Sequence, residues 1–222
     1  MEFDFLALAG YGDLVLRGAV VSLLLTALIT ASGLVLAVFF VTLATYANKP
    51  LKLMVAAYVE AIRNTPFLAQ MYLIFYGLPL IGLTLNEYIS AYIALTVYLA
   101  AYATEIIRAG VKAVPEGQIA ASLALGMTRA RTFVDIVLPQ ALRKIFPALK
   151  GQVILAMLTT SIVSQIAVRE LTFEANFIQG RSFRSFEIYI VVAIVYIFLV
   201  YLVTRAFDIV GHKIRAYDLD KK

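Results

Sequence analysis

The chain has 222 residues, of which 62% are apolar and 15% charged, and its formal net charge is +5. Soluble domains are about 45–50% apolar and roughly 25% charged, so this composition excludes a soluble globular enzyme and a disordered protein. The chain contains no cysteine, which excludes a disulfide-stapled secreted module and a cysteine-based zinc site. The composition that remains is that of a helical integral membrane protein.

Five long stretches of the chain contain no Asp, Glu, Lys or Arg. They run over Gly18–Asn48, Asn64–Asn86, Tyr88–Thr104, Gly151–Val168 and Ile188–Thr204. A hydrocarbon core of about 30 Å takes roughly 20 helical residues, and continuous apolar runs speak against a membrane strand barrel. We therefore predict an all-α integral membrane protein with residues 1–222 in one transmembrane domain. The five predicted transmembrane helices cover roughly 14–46, 53–75, 86–108, 147–168 and 187–209.

The basic residues predict how these helices are oriented. If the N-terminus is outside, 15 of the 19 Lys and Arg residues lie on the inner side. The outer segments then keep only Arg17, Arg169, Arg181 and Arg184. Because an excess of Lys and Arg marks the cytoplasmic side, we predict an outside N-terminus and a cytoplasmic C-terminus. The segment Met1–Asp13 is acidic, where a cleaved signal peptide has a basic start, so the first apolar run is predicted to be a permanent span.

The inner loop between the third and fourth predicted spans, residues 109–143, is too apolar for a plain connector. Pro115–Leu125 is predicted to be a short helix that ends at Gly126, since glycine tolerates the left-handed conformation of a helix end. Thr128 is predicted to cap a second short helix, which Pro139 ends. The pair of helices either docks another protein or packs back on the bundle.

This loop resembles the cytoplasmic "EAA" loop of the permeases of binding-protein-dependent ABC importers. The resemblance rests on GQIAASLALGM at Gly117–Met127 and IVLPQALR at Ile136–Arg143. The polar amino-acid group, with its histidine, glutamine, arginine, opine and ectoine systems, is the most similar. Three further segments match in order: Glu60–Pro79, Tyr102–Gln118 and Thr159–Thr172. The chain departs from the pattern at Ala120, where the family has the glutamate of its motif.

The resemblance implies a type I ABC importer permease fold and a set of partners. These are a second permease subunit (an identical copy or a paralogue), a cytoplasmic ATPase dimer that binds ATP and Mg²⁺, and an extracytoplasmic solute-binding protein. The location implied is the bacterial inner, or cytoplasmic, membrane, with lipid and not nucleic acid around the chain. The sequence has no Gly-x-x-x-x-Gly-Lys-Ser/Thr phosphate loop, so we expect no enzyme activity and no cofactor in this chain.

The coupling contact with the ATPase is expected at the inner loop, by this same resemblance. Gly126 is predicted to be its least replaceable residue, although it could serve only as a helix cap. The residues carried over are Gln118, Ala120, Ala121, Ser122, Leu125, Gly126 and Met127.

The solute pathway is expected where polar side chains lie within apolar spans, because such side chains usually face a cavity or the bundle interior. Hydroxyl groups can donate to a solute carboxylate, and Glu170 could accept from its ammonium group. The candidates are Thr160, Ser161, Ser164, Gln165 and Glu170 on the fourth span, with Asn64, Thr65 and Gln70 on the second. Alternatively, the hydroxyls bond their own preceding carbonyls, and the Asn64-Thr65-Pro66 segment only breaks the helix.

Composition alone also permits a small ion-coupled secondary transporter or channel that acts as an oligomer. An intramembrane enzyme is disfavoured because the chain lacks His-Glu-x-x-His and Gly-x-Ser-x-Gly motifs. Four charged residues near the inner side could form a gate or bracing ion pairs: Glu60, Arg63, Glu105 and Arg108.

Overall fold

The computed structural model describes residues 3–216, and this part of the chain is helical without a strand. Residues 1–2 and 217–222, which include part of the acidic segment Met1–Asp13 and two of the inner lysines, lie outside the described residues. The α-helices are α1 Gly12–Tyr46, α2 Lys49–Arg63, α3 Phe67–Tyr72, α4 Glu87–Lys112, α5 Glu116–Ala124, α6 Arg129–Arg131, α7 Leu138–Thr159, α8 Leu171–Ser182 and α9 Ser185–Ala216. A 3-10 helix at Leu6–Tyr11 precedes α1.

The core lies where α1, α4 and α7 pack together. Ile29 of α1, Leu99 of α4 and Met157 of α7 have no exposed surface, and they belong to one continuous apolar cluster. A side chain at Gly33 would press on Leu99, with a Cβ at 3.1 Å from its Cδ2 atom. Small residues at this crossing let the two helices approach closely, as is common between membrane helices.

Four helical segments are long and apolar enough to cross a membrane. They are Leu6–Thr45, Glu87–Lys112, Thr132–Ile166 and Ser185–His212, and they overlap the first, third, fourth and fifth predicted spans. A shorter apolar helical segment, Phe67–Ile81, overlaps the outer part of the second.

The prediction of one continuous second helix over 53–75 is wrong. The helix α2 ends at Arg63, and α3 begins at Phe67 after an extended Pro66. Proline has no N–H to continue the hydrogen-bond ladder, and it forces the preceding residue out of the helical region. The alternative interpretation, that the Asn64-Thr65-Pro66 segment breaks the helix, is therefore confirmed. Beyond α3 the chain widens into a π-helical turn, Leu73–Gly77.

Pro139 does not end a helix, contrary to the prediction for the inner loop. Thr128 caps α6 as predicted, since its hydroxyl accepts from the Arg131 N–H at 3.3 Å. The chain then passes through a π-helical turn at Thr132–Val137 directly into α7. We attribute the continuity to that turn, because its wider i→i+5 spacing leaves room for the proline ring.

Candidate functional site

The inner loop presents a short helix that ends in a glycine cap. Gly126 has φ +83°, the left-handed region that favours glycine, and a Cβ there would meet no atom within 4 Å. The Met127 N–H donates to the Ser122 carbonyl at 3.1 Å, and the Gly126 N–H donates to the Leu123 carbonyl at 3.0 Å. This pair of bonds is a Schellman-type helix end. The glycine is therefore required by the backbone conformation and not by crowding.

One face of α5 is fixed to the bundle. Ser122, which is 5% exposed, donates to the Ile119 carbonyl at 2.8 Å and to the Thr132 hydroxyl at 3.0 Å. The side-chain oxygen Oε1 of Gln118 accepts a hydrogen bond from the side-chain nitrogen Nε2 of Gln140 at 2.6 Å. Ser122 therefore braces the loop internally, and its predicted part in the coupling contact stays a prediction.

The opposite face of α5 is open. Ala120, Ala121 and Gly126 are exposed, and Leu125 is 84% exposed. An exposed leucine beside small residues makes a raised apolar surface of the kind that another protein covers. We call the residues Gln118, Ala120, Ala121, Leu125, Gly126 and Met127 the inner knob. One face of α5 therefore packs back on the rest of the chain, and the docking of another protein on the exposed face stays a prediction.

The predicted hydroxyls of the fourth span occupy a 3-10 helix, Thr160–Ile166. Thr160 donates to the Met157 carbonyl at 2.6 Å, Ser161 to the Leu158 carbonyl at 2.7 Å, and Ser164 to the Ser161 carbonyl at 2.7 Å. This is the local bonding named as the alternative above. Each hydroxyl still has lone pairs with which to accept a hydrogen bond. Gln165, near the end of this 3-10 helix, is exposed.

The predicted residues of the second span hold its break together. The Gln70 amide nitrogen donates to the carbonyls of Ile62 at 2.7 Å and Thr65 at 3.1 Å, and to the Thr65 hydroxyl at 2.9 Å. The side-chain oxygen Oε1 of Gln70 is buried and has no hydrogen-bond partner within the described residues. Asn64 is exposed beside the break. The Gln70 side chain therefore stabilises the break, and its oxygen remains free to accept a further hydrogen bond.

Sequence reasoning missed a polar pair between α4 and α7. Gln152 is 7% exposed, and its amide nitrogen has no partner in the described part of the chain. The Tyr98 hydroxyl of α4 lies near the side chains of Gln152, Thr159 and Tyr102, but it makes no hydrogen bond with the Gln152 amide nitrogen. A buried amide at membrane depth is costly and marks a functional place by default. The sequence did contain a signal for this site, since Gln152 is a polar residue at the second position of the uncharged run Gly151–Val168.

Glu170 lies at a buried junction of three helices, and its predicted role in the solute pathway stays a prediction. Its side chain has no exposed surface and caps α8 by accepting from the Phe173 N–H at 2.8 Å. It also accepts from the hydroxyls of Ser22 at 3.3 Å and Tyr196 at 3.0 Å. The carboxyl therefore joins α1, α8 and α9. Burial raises the pKa of Glu170 to about 7, against the lowering effect of these hydrogen bonds.

The raised pKa of Glu170 predicts a pH-dependent stability. Because the folded carboxyl holds its proton more tightly than an unfolded one, the stability contribution is full below about pH 4.5, declines as the pH rises from there to about 7, and is lost above that pH. The loss is on the order of 3 kcal/mol at most. Thermal denaturation of the purified protein between about pH 5 and pH 8 should show the wild type losing stability relative to Glu170→Gln. Parallel pH curves for the two proteins would contradict the prediction.

Three of the four inner charged residues form ion pairs around one carboxylate. Glu105 of α4 pairs with Arg108 at 2.7 Å and with Arg63, at the end of α2, at 3.5 Å. The Arg63 guanidinium also lies 5.5 Å from the centre of the Tyr102 ring. These contacts attach the broken end of α2 to α4. Of the two interpretations left open, bracing ion pairs are what the structure shows.

The outer helix α8 carries a stripe of alternating charge and aromatic rings. Phe173, Phe177 and Arg181 are spaced four residues apart within α8 and so lie on one face, and Arg169, which precedes the helix, lies over Phe173 and Phe177. The Arg181 guanidinium lies 4.4 Å from the centre of the Phe177 ring, and that of Arg169 lies 5.8 Å from the Phe173 ring. Arg169 is also paired with the buried Glu174 at 2.9 Å. We call these four residues the outer stripe.

Comparisons with known proteins agree with this architecture. The family described as "Binding-protein-dependent transport system inner membrane component" matches residues 32–216. The chain is 36% identical over 194 residues to the L-cystine transport system permease protein TcyB of Bacillus subtilis, covering 87% of this chain and 83% of that relative. It is 28% identical over 219 residues to the arginine transport system permease protein ArtQ of Bacillus subtilis, covering 98% and 100% of the two chains.

A solved structure supports the same family. A chain in the crystal structure of an amino acid ABC transporter with histidines matches with a TM-score of 0.88 at 35% identity, covering 96% of this chain and 100% of that one. The family match spans most of the sequence, and the helical architecture agrees with a multi-pass membrane protein. The chain therefore belongs to the family of inner membrane components of binding-protein-dependent transport systems.

Proposed function

We propose that this chain is the transmembrane subunit of an ATP-driven ABC importer that translocates a polar amino acid or a related small zwitterionic solute. An extracytoplasmic binding protein delivers the solute, and a separate ATPase supplies the energy in a bacterial inner membrane. The observation that carries the proposal is the inner knob. It is fixed to the bundle on one face and exposed on the other, within a chain of the binding-protein-dependent family.

The proposed topology has five spans with an outside N-terminus and a cytoplasmic C-terminus. The second span consists of α3 and its continuation to Ile81, with α2 as its inner extension. The distribution of Lys and Arg supports this orientation. It places the inner knob in the cytoplasm and the outer stripe on α8 outside.

Coupling proceeds through the inner knob, in a groove of the ATPase that binds ATP and Mg²⁺. The Ser122–Thr132 and Gln118–Gln140 hydrogen bonds attach α5 to the segment that leads into α7. A displacement of the knob is therefore passed to α7, which carries Gln152. This is a connected element that both the ATPase and the solute can bias, as a coupling mechanism requires.

The solute pathway follows the unused polar atoms of the spans. A zwitterion carries a carboxylate that needs donors and an ammonium group that needs acceptors. Among the described residues, the Gln152 amide nitrogen is a donor without a partner, and the Gln70 side-chain oxygen is an acceptor without one. We propose that these two glutamines contact the solute along the pathway. The further pathway residues we propose are Asn64, Thr65, Thr160, Ser161, Ser164 and Gln165.

Replacing Gln152 by leucine should lower transport without lowering stability. The loss of a donor to a charged group predicts a solute KM about tenfold higher or more, while removal of an unpaired buried amide leaves the thermal midpoint equal or raised. Uptake and thermal denaturation are measured on the same preparation. Ser90→Ala is the matched control, because Ser90 also has a buried oxygen without a partner in the described residues but is not among the proposed pathway residues. Equal KM changes in both variants would sink the assignment.

The outer stripe is proposed as a contact for the binding protein. Its two arginines are exposed, and the aromatic rings between them are partly exposed. Arginine and aromatic side chains are enriched at the centres of protein interfaces. The stripe thus offers a cationic surface that an acidic edge of the binding protein would fit.

The second permease subunit is proposed to be a paralogue. Ala120 removes the only acidic position that the motif would place on the inner knob, and an asymmetric pair could keep a fuller motif in the other half. A stable, active complex that contains only this permease sequence would contradict the paralogue and leave an identical copy.

Uptake into proteoliposomes tests the function as a whole. The chain is reconstituted with its ATPase, its partner permease and its binding protein, and a panel of labelled amino acids and opines is offered outside. We expect uptake of one solute class that requires both internal ATP and the binding protein. Uptake driven by an ion gradient without the ATPase would instead support the secondary transporter.

A further inference from the structure

A cavity of about 720 Å³ lies between the inner end of α1, α2 and the inner half of α4. No residue of the inner knob lines it, and neither does Gln152; of the proposed pathway residues, Asn64 lines it. Its charged lining consists of Lys49, Lys52, Arg63, Arg108, Glu60 and Glu105. Four cations thus face two carboxylates, so the cavity has an excess of positive charge.

The carboxylates do not neutralise the two lysines. Glu105 is already paired with Arg63 and Arg108. Lys52 uses its ammonium group to donate to the Thr45 carbonyl at 2.9 Å, near the end of α1. Within the described residues neither Lys49 nor Lys52 has an ion-pair partner. The end of the cavity formed by the first turn of α2 therefore attracts an anion.

Apolar side chains stand beside these lysines. Leu53 lines the cavity and is 61% exposed, and Met54 next to it is 67% exposed. A small soluble anion would leave the exposed leucine and methionine uncovered. A phospholipid would satisfy both features, because its phosphate pairs with lysine while its acyl chains cover apolar surface.

We propose that this cavity binds the headgroup of an anionic phospholipid of the inner leaflet, with the phosphate at Lys49 and Lys52 and an acyl chain against Leu53. The proposal rests on the proposed orientation, which places α2 at the cytoplasmic surface. Basic pockets between membrane helices on that side suit anionic headgroups. The lipid then bridges α1 and α2 next to the ion pairs that hold the break.

The test measures lipid retention by the complete transporter. The complex is purified with its partner subunits, placed in phosphatidylcholine nanodiscs with graded phosphatidylglycerol, and analysed by native mass spectrometry for bound lipid. At about 1 kcal/mol for each lysine, Lys49→Gln should weaken phosphatidylglycerol binding about fivefold, and the Lys49→Gln, Lys52→Gln pair about thirtyfold. Lys49→Gln alone keeps the test valid if the loss of the Lys52 contact disturbs folding.

Lys112→Gln is the matched control, since it removes an equal charge from the inner end of α4 outside the cavity. It should leave phosphatidylglycerol retention unchanged. Equal retention by Lys49→Gln and the wild type would overturn the proposal. Displacement of the lipid by millimolar inorganic phosphate would assign the site to a small free anion and overturn it as well. So would a Lys49→Gln variant with an altered solute KM and unaltered lipid retention, which marks a solute vestibule. Retention needs no transport, so failure here leaves the importer function standing.

Discussion

Replacement of Gly126 by aspartate should abolish the association with the ATPase and the transport that depends on it. The knob is exposed in this chain, and the partner groove would bury it. An unpaired buried charge costs about 3–5 kcal/mol, which corresponds to a loss of at least a hundredfold in affinity. The measurement is co-purification of the ATPase with the tagged permease, followed by binding-protein-stimulated ATP hydrolysis.

Asparagine at the same position separates charge from conformation. Asparagine and aspartate both tolerate the left-handed backbone that Gly126 adopts, but only aspartate adds a charge. Gly126→Asn should therefore retain most of the ATPase, whereas Gly126→Asp should lose it. Gly82 has a nearly identical φ of +84° outside the knob, and Gly82→Asp should retain the ATPase. If Gly126→Asp keeps the ATPase bound, Gly126 is only a helix cap.

The parts of this fold that were predictable depend on local chemistry. Sustained apolar runs predicted the four long helical segments, because burial in lipid needs no particular partner. The end of α5 at Gly126 was also predictable, since the preference of glycine for positive φ belongs to the residue itself. The break after Arg63 follows from Pro66 in the same way.

The parts that were not predictable depend on residues far apart in the chain. The hydrogen bonds of Glu170 were not predictable, because its partner Ser22 is 148 positions away. The proximity of Gln152 to Tyr98 requires that α4 and α7 face each other. The passage of the chain through Pro139 requires a π-helical turn, which no local propensity indicates. In each case a polar residue or proline is explained by its packing and not by its neighbours in sequence.

Replacement of Gly18 by alanine should destabilise the protein by about 3 kcal/mol, because overpacking and lost buried hydrogen bonds act together. A Cβ atom at Gly18 would lie 2.8 Å from the Leu171 Cα and 3.0 Å from its nitrogen. Both contacts are with backbone atoms at the start of α8, so no side chain can rotate away. The helix α1 must then move outward from α8.

That movement breaks the polar junction at Glu170. Ser22 donates to the Gly18 carbonyl at 3.1 Å, lies 3.3 Å from the Glu170 carboxylate, and accepts from the Leu171 N–H at 3.3 Å. A displaced α1 therefore leaves a buried carboxyl and a buried N–H without one of their partners, in a place that water does not reach easily. The cost exceeds that of the steric contact alone.

Thermal denaturation of the purified variants measures this effect, with the yield of folded protein as a second reading if Gly18→Ala is too unstable to purify. Gly180→Ala is the control, since Gly180 lies within α8 and a Cβ there would meet no atom within 4 Å. A helical glycine without contacts gains about 0.5–1 kcal/mol on change to alanine. The two substitutions should therefore move the thermal midpoint in opposite directions. Gly18→Ala with a midpoint equal to the wild type would show that α1 and α8 do not pack at this distance.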